Sequence, residues 1–257
     1  MFSDNLRNDA RVDEAVASYL EIAKLAYQEG ESLTQARALH LAGVAAKQSV
    51  ASKESSYFRD AFKYFREAEA LYKRDNESIA LGALYRDMAV TCDYARDYTQ
   101  AKVYFEKSVE ILENTEAYAE LAITYDKFGL HFHALGDQDT ALRHIDKAFE
   151  TFRKDKPHGF YSATALLDKA RVLTKRGLFD QAYDVASESI SWFEADHGES
   201  SFRRRLAQLY GLLALLAAKI GQDRQAKLYW QKFVSATANM DPLAKTFIKQ
   251  ELERLFD

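Results

Sequence analysis

An alanine recurs along this chain at intervals that only a repeat architecture accommodates. Ala61, Ala101, Ala141, Ala182 and Ala226 are spaced 40, 40, 41 and 44 residues apart. Four positions after each stand Phe65, Phe105, Ile145, Ala186 and Trp230, and seven positions after stand Ala68, Ser108, Ala148, Ser189 and Phe233. Gly136, Gly177 and Gly221 each precede the last three anchors by five residues. Phe58, Tyr98 and Phe179 precede their anchors by three, whereas Gln138 and Asp223 break that part of the pattern. A partial earlier copy at Ala15, Tyr19 and Ile22 reads as a second helix without a complete first helix.

The spacing has a direct physical meaning. A small residue at the anchor lets two antiparallel helices approach closely, and the large residue one turn later fills the gap beside them. Glycine before the turn takes the left-handed conformation that ends a helix, and an Asp such as Asp137 or Asp223 caps the next. Between anchors the apolar period is helical: Ala101, Val103, Tyr104, Phe105, Ser108, Val109, Ile111 and Leu112 form one broad stripe. With only 10 Gly and 2 Pro, the chain lacks the punctuation of an all-β sandwich or barrel. The sequence predicts an all-α protein.

The Ala-aromatic-small triplets, the glycines and the small residues Ala89, Gly129, Ala170 and Ala214 of each first helix resemble the tetratricopeptide repeat (TPR) family over residues 13–238. That family repeats every 34 residues. The longer period here resembles the long-helix subtype of kinesin light chains and spindle-orientation adaptors, and peptide-sensing bacterial regulators and soluble attachment proteins of membrane fusion also use longer units. The resemblance implies a right-handed superhelical solenoid of antiparallel helix pairs, with five to six repeats and a C-terminal capping helix. Helices are predicted near 13–28, 33–50, 55–73, 77–95, 98–113, 116–135, 138–153, 159–176, 179–195, 201–220, 223–238 and 242–256. The last starts at Asp241-Pro242, and its Lys245, Lys249, Glu251 and Arg254 suit a polar closing helix. The connectors 154–159 and 195–200 are too short for domain linkers, so a single domain over 1–257 is expected.

Composition excludes several function classes. The formal charge of −4, from 35 basic and 39 acidic residues, is too balanced for a nucleic-acid or anionic-membrane binder. One cysteine gives no internal disulfide framework and fits a reducing compartment. The apolar run Leu209–Ala218 is half the length that a bilayer needs, and the first residues lack a signal-peptide core, so a cytoplasmic protein is expected. Phosphate-loop, dinucleotide, zinc-protease and nucleophile-elbow motifs are all missing from the sequence.

The remaining reactive residues read as structural. Cys92 stands where other repeats place Phe132, Leu173 and Ala217, which makes it a packing residue. His131 and His133 are two apart and point to different faces, so they cannot chelate one ion, and no cofactor or metal is expected. Asp137-Gln138-Asp139 lacks the Gly and distal Glu of a calcium loop and reads as a capped turn. Arg203-Arg204-Arg205 is expected to pair with Glu194, Asp196 and Glu199 nearby.

In the TPR architecture the first helix of each pair lines the concave face. Aligning on the anchors places Arg86, Asp87, Val90 and Asp93, then Asp126, Lys127, Leu130 and His133, then Asp168 and Arg171 on that wall. The corresponding residues before Ala226, such as Gly211, Leu212 and Leu215, are apolar and are expected to lie under the C-terminal helix. The resemblance therefore implies a non-enzymatic interaction module that binds a peptide or helical segment of another protein, with no nucleic-acid partner and no membrane insertion. The alternative is a peptide-sensing regulator without its own DNA-binding domain, and the few residues before the first helix weigh against it. The sequence leaves the oligomeric state open. It further predicts that Arg171→Ala or Lys127→Ala would weaken a partner without disturbing the fold.

Overall fold

The computed structural model describes residues 2–154, 159–194, 200–240 and 242–256, and among them every regular element is helical. The helices are α1 (Phe2–Glu29), α2 (Ser32–Ala46, extended by a short 3-10 turn Lys47–Ser49), α3 (Ser56–Arg74), α4 (Ser78–Tyr94), α5 (Tyr98–Glu113), α6 (Tyr118–Ala134), α7 (Gln138–Phe152), α8 (Gly159–Lys175), α9 (Phe179–Glu194), α10 (Ser200–Lys219), α11 (Asp223–Thr237) and α12 (Pro242–Phe256). The predicted boundaries hold to a few residues except at the start, where α1 runs on to Phe2. The connectors around 155–158 and 195–199 and the Asp241 cap lie outside the described residues, as do Asp196 and Glu199, and the side chains of Glu194 and Glu251 are likewise not described. No helix among the described residues is long and apolar enough to cross a membrane.

The contacts divide the chain into two compact units, Met1–Lys127 and Phe128–Asp257, with the boundary inside α6. In the first unit α1 packs on α2, α2 on α3, and α4 on both α3 and α5. In the second, α7 packs on α8, α8 on α9, α9 on α10, and α10 on α11. The anchors Ala61, Ala101, Ala141 and Ala182 are all fully buried, as the close-approach argument requires, whereas Ala226 near the end is only half-buried. The large residue one turn on, Phe65, Phe105 or Ile145, is likewise inside.

The first helices α4, α6, α8 and α10 end in one recurring closure. The amide of Asp137 donates to the Phe132 carbonyl, Leu178 to Leu173 and Gln222 to Ala217, around left-handed Gly136, Gly177 and Gly221. Arg96 occupies that position before Ala101. It takes the left-handed conformation at φ 60° without being glycine, and the Asp97 amide closes on Cys92 in the same way. Asp97 and Asp137 then cap α5 and α7 by accepting from the amides of Gln100 and Thr140.

Candidate functional site

The first-helix wall of the N-terminal unit is a set of paired charges. Asp87 of α4 accepts from Lys47 Nζ at 2.6 Å and stands 3.1 Å from His40 Nε2, both carried by or just after α2. Arg86 lies 3.6 Å from the same carboxylate and also pairs with Glu120 of α6. Burial alone would raise the Asp87 pKa, but the Lys47 and Arg86 cations and the His40 hydrogen bond outweigh it and hold the carboxyl far below its ordinary range. Val90 and Asp93, one and two turns further along α4, are half-buried. Asp126 is almost completely buried and accepts from Lys127 Nζ at 2.7 Å.

The second unit carries the rest of the predicted wall. His133 Nδ1 donates to Gln138 Oε1 at 2.6 Å, and Leu130 beside it on α6 is half-buried. Burial lowers the His133 pKa, assisted by Arg171 and Lys175 and opposed by the Gln138 bond and Asp168. Arg171 Nη1 stands 3.2 Å from Asp168 Oδ1, and Arg205 Nη1 of α10 lies 3.9 Å from the same oxygen. Asp168 is 0% exposed, so it cannot touch a ligand as the sequence implied. It holds Arg171 in place from beneath.

This pairing bears on one sequence expectation. Truncating Arg171 or Lys127 removes a cation from beside a buried aspartate, so each substitution is expected to lower stability as well as to alter the wall.

The apolar end of the wall is occupied. α12 lies across α8 and α10, and Leu252 packs where a Cβ on Gly211 would stand. Leu252 and Leu255 meet Leu167 and Leu212 across a gap of about 10 Å³, which is at most the room for one water. The chain's own helix fills this stretch.

The histidines set aside as metal ligands belong to an aromatic cluster. His144 stacks on Phe132 at 5.2 Å between centroids, and buried His131 meets Phe132 edge-on at 5.3 Å. Among the described residues no three His, Cys, Asp or Glu side chains come together as a metal site. Cys92 is fully buried and its thiol is pushed up to about 12 by burial, so it stays protonated.

No protein-family model matches the chain, and no curated protein does. Solved structures do. BtubC (BKLC) from P. vanneervenii superposes with a TM-score of 0.75 at 16% identity, covering 90% of this chain and 92% of that one. Together with the small anchors and the recurring left-handed closures, that superposition decides the architecture. The chain has a TPR-like fold. Aspartyl phosphate phosphatase F from Bacillus subtilis superposes with a TM-score of 0.66 at 18% identity over 90% of this chain, which spans 58% of the length of that protein. PilF from Pseudomonas aeruginosa gives 0.51 at 15% identity, over 93% of this chain and 99% of that one. The first-helix residues described above thus sit on a TPR-like scaffold, and at these identities the likeness concerns the fold.

Proposed function

We propose that this TPR-like protein is a non-enzymatic adaptor, working in the cytoplasm, that takes a peptide or helical segment of another protein against its first-helix wall. The observation that supports this most is the locked state of the wall charges: Arg86 is fixed between Asp87 and Glu120 before any ligand arrives. A side chain that is already ordered loses little rotamer freedom on binding, which is the advantage of preorganisation. Arg86, Asp93 and Lys127 supply polar contacts in the first unit, and His133 and Arg171 supply them in the second. Val90 and Leu130 offer apolar contact. Asp87, Asp126 and Asp168 serve from below as the groups that orient the cations. Mixed signs favour register over indiscriminate capture of a polyanion.

The test uses variants that leave the buried pairs intact. A partner identified by affinity capture and mass spectrometry is titrated against the wild type, Val90→Arg, Leu130→Arg and the second-helix control Lys102→Ala. At least one of the two wall variants should bind tenfold or more weakly, with melting within a few degrees of wild type, and the control should bind normally. Equal affinity across all four would refute the wall as the binding surface.

A further inference from the structure

Away from the wall, the N-terminal unit contains a cavity of about 650 Å³ bounded by one side of α3 and the start of α5. That volume falls within the roughly 300–1,000 Å³ typical of small-molecule sites. Phe58, Phe62 and Arg66 follow one another along α3 at four-residue steps, and Arg59, Lys63 and Glu67 form the adjoining row, so helical periodicity turns both rows into the same space. The rings of Phe58 and Phe62 lie 4.6 Å apart, and Tyr104 of α5 faces Phe62 at 5.9 Å. Cys92 joins this floor as a buried, uncharged group.

The charges are unevenly committed. At one end Lys53 Nζ is 2.6 Å from Asp97 Oδ2, and Arg59 donates to the Glu54 carbonyl at 2.9 Å. Arg66 is exposed and forms no ion pair among the described residues, and Lys63 meets only the face of Tyr64, at 5.8 Å. Four cations against two carboxylates therefore line a hollow in a chain whose overall charge is −4. A purely apolar ligand would leave Arg66 and Lys63 unused, and a bare inorganic anion would leave the aromatic floor unused.

We propose that this cavity binds a small planar aromatic anion, its ring lying on Phe62 and Tyr104 and its carboxylate, sulfonate or phosphate meeting Arg66 and Lys63. Stacking and charge then act on two parts of one molecule. The site lies on α3 and α5, away from the wall residues Arg86 and Asp87, and does not depend on the adaptor reading.

The probe is 1-anilinonaphthalene-8-sulfonate, followed by fluorescence on the full chain, with the uncharged N-phenyl-1-naphthylamine as its partner. Saturable binding of one sulfonate per chain is expected, weakened tenfold or more by Arg66→Glu or Lys63→Glu and unaffected by Lys249→Glu on α12. The neutral analogue should bind at least tenfold more weakly, and inorganic phosphate at the same concentration should not displace the probe. Both test positions are exposed, so unchanged melting is expected of these variants and certifies their folding. Affinity indifferent to both substitutions, equal binding of the neutral analogue, displacement by phosphate alone, or no saturable binding would each overturn the proposal.

Discussion

Lys47 Nζ lies 2.6 Å from Asp87 Oδ1, and the two residues hold the same place in consecutive repeats, fourteen residues before Ala61 and Ala101. That place continues along the sequence as Lys127 and Asp168 before giving way to Leu212. At the first of these steps the lysine that follows α2 neutralises the carboxylate of α4. A helix slipped by one residue would bury Asp87 without Lys47.

Removing the acidic member of that pair is predicted to cost more than removing the basic one. Asp87→Ala leaves Lys47, Arg86 and His40 crowded together without their shared carboxylate, whereas Lys47→Met leaves Asp87 with Arg86 and His40. We expect Asp87→Ala to cost about 3–5 kcal/mol and Lys47→Met about half as much, read from urea unfolding. Because the folded carboxyl is held low, its stabilisation is fully present above an unfolded pKa of roughly 4 and is lost progressively as pH falls below that value towards the much lower folded one. Equal costs would show that the carboxylate is not the hub.

Close helix contact at the anchors is testable at Ala141. A Cβ added to Gly129 of α6 would come within 2.6 Å of Ile145 Cγ1 and 3.0 Å of the Ala141 carbonyl, so the two helices have no slack there. Ala141→Leu should lower stability by about 1–3 kcal/mol through overpacking. Melting like that of wild type would contradict the role given to the anchor.

Arg96 bears left-handed strain that its counterparts Gly136, Gly177 and Gly221 avoid. Arg96→Gly relieves about 1–2 kcal/mol of steric cost and gives part of it back in unfolded-chain entropy. A net gain of about 0.5–1 kcal/mol is predicted, and Gly136→Ala should lose a similar amount. A destabilised Arg96→Gly would mean that the Arg96 side chain makes contacts worth more than the strain.

The periodic features were legible in the sequence because each depends on neighbours within one repeat. Ala101 had to be small, and Gly136 had to sit before the turn. Arg96 escaped that reading because the side chain disguised a backbone conformation that glycine usually marks. The burial of Asp168 was not legible either: Arg205 of α10, thirty-seven residues later, comes within 3.9 Å of its carboxylate. The cavity likewise needs the space between α3 and α5, and periodicity assigns Phe62 and Tyr104 to faces without telling how far apart those faces stand.

His144 makes the second unit sensitive to acid. Its stacking on Phe132 buries the ring, and burial, with Lys147, Arg143 and His131 adding repulsion, lowers its pKa to about 4 from the usual 6.5. A lowered histidine pKa means that the unfolded chain takes up the proton first. Stability is therefore lost as pH falls from about 6.5 towards 4, by about 2 kcal/mol once partial exposure is allowed for. His144→Phe should match wild type near pH 7.5 and exceed it increasingly down to pH 4.5. Parallel melting curves across that range would contradict the assignment.

The adaptor reading is tested most directly by mapping where a partner touches. A photo-crosslinking phenylalanine derivative is placed singly at Val90 and Leu130 on the first helices, and at Lys102 and Leu228 on the second helices, and each protein is irradiated in lysate of its native host. The account predicts a discrete protein adduct from the Val90 or the Leu130 position, competed away by unlabelled wild-type protein, and no such adduct from Lys102 or Leu228. A competed adduct formed only from the second-helix positions, or none from either wall position, would contradict it.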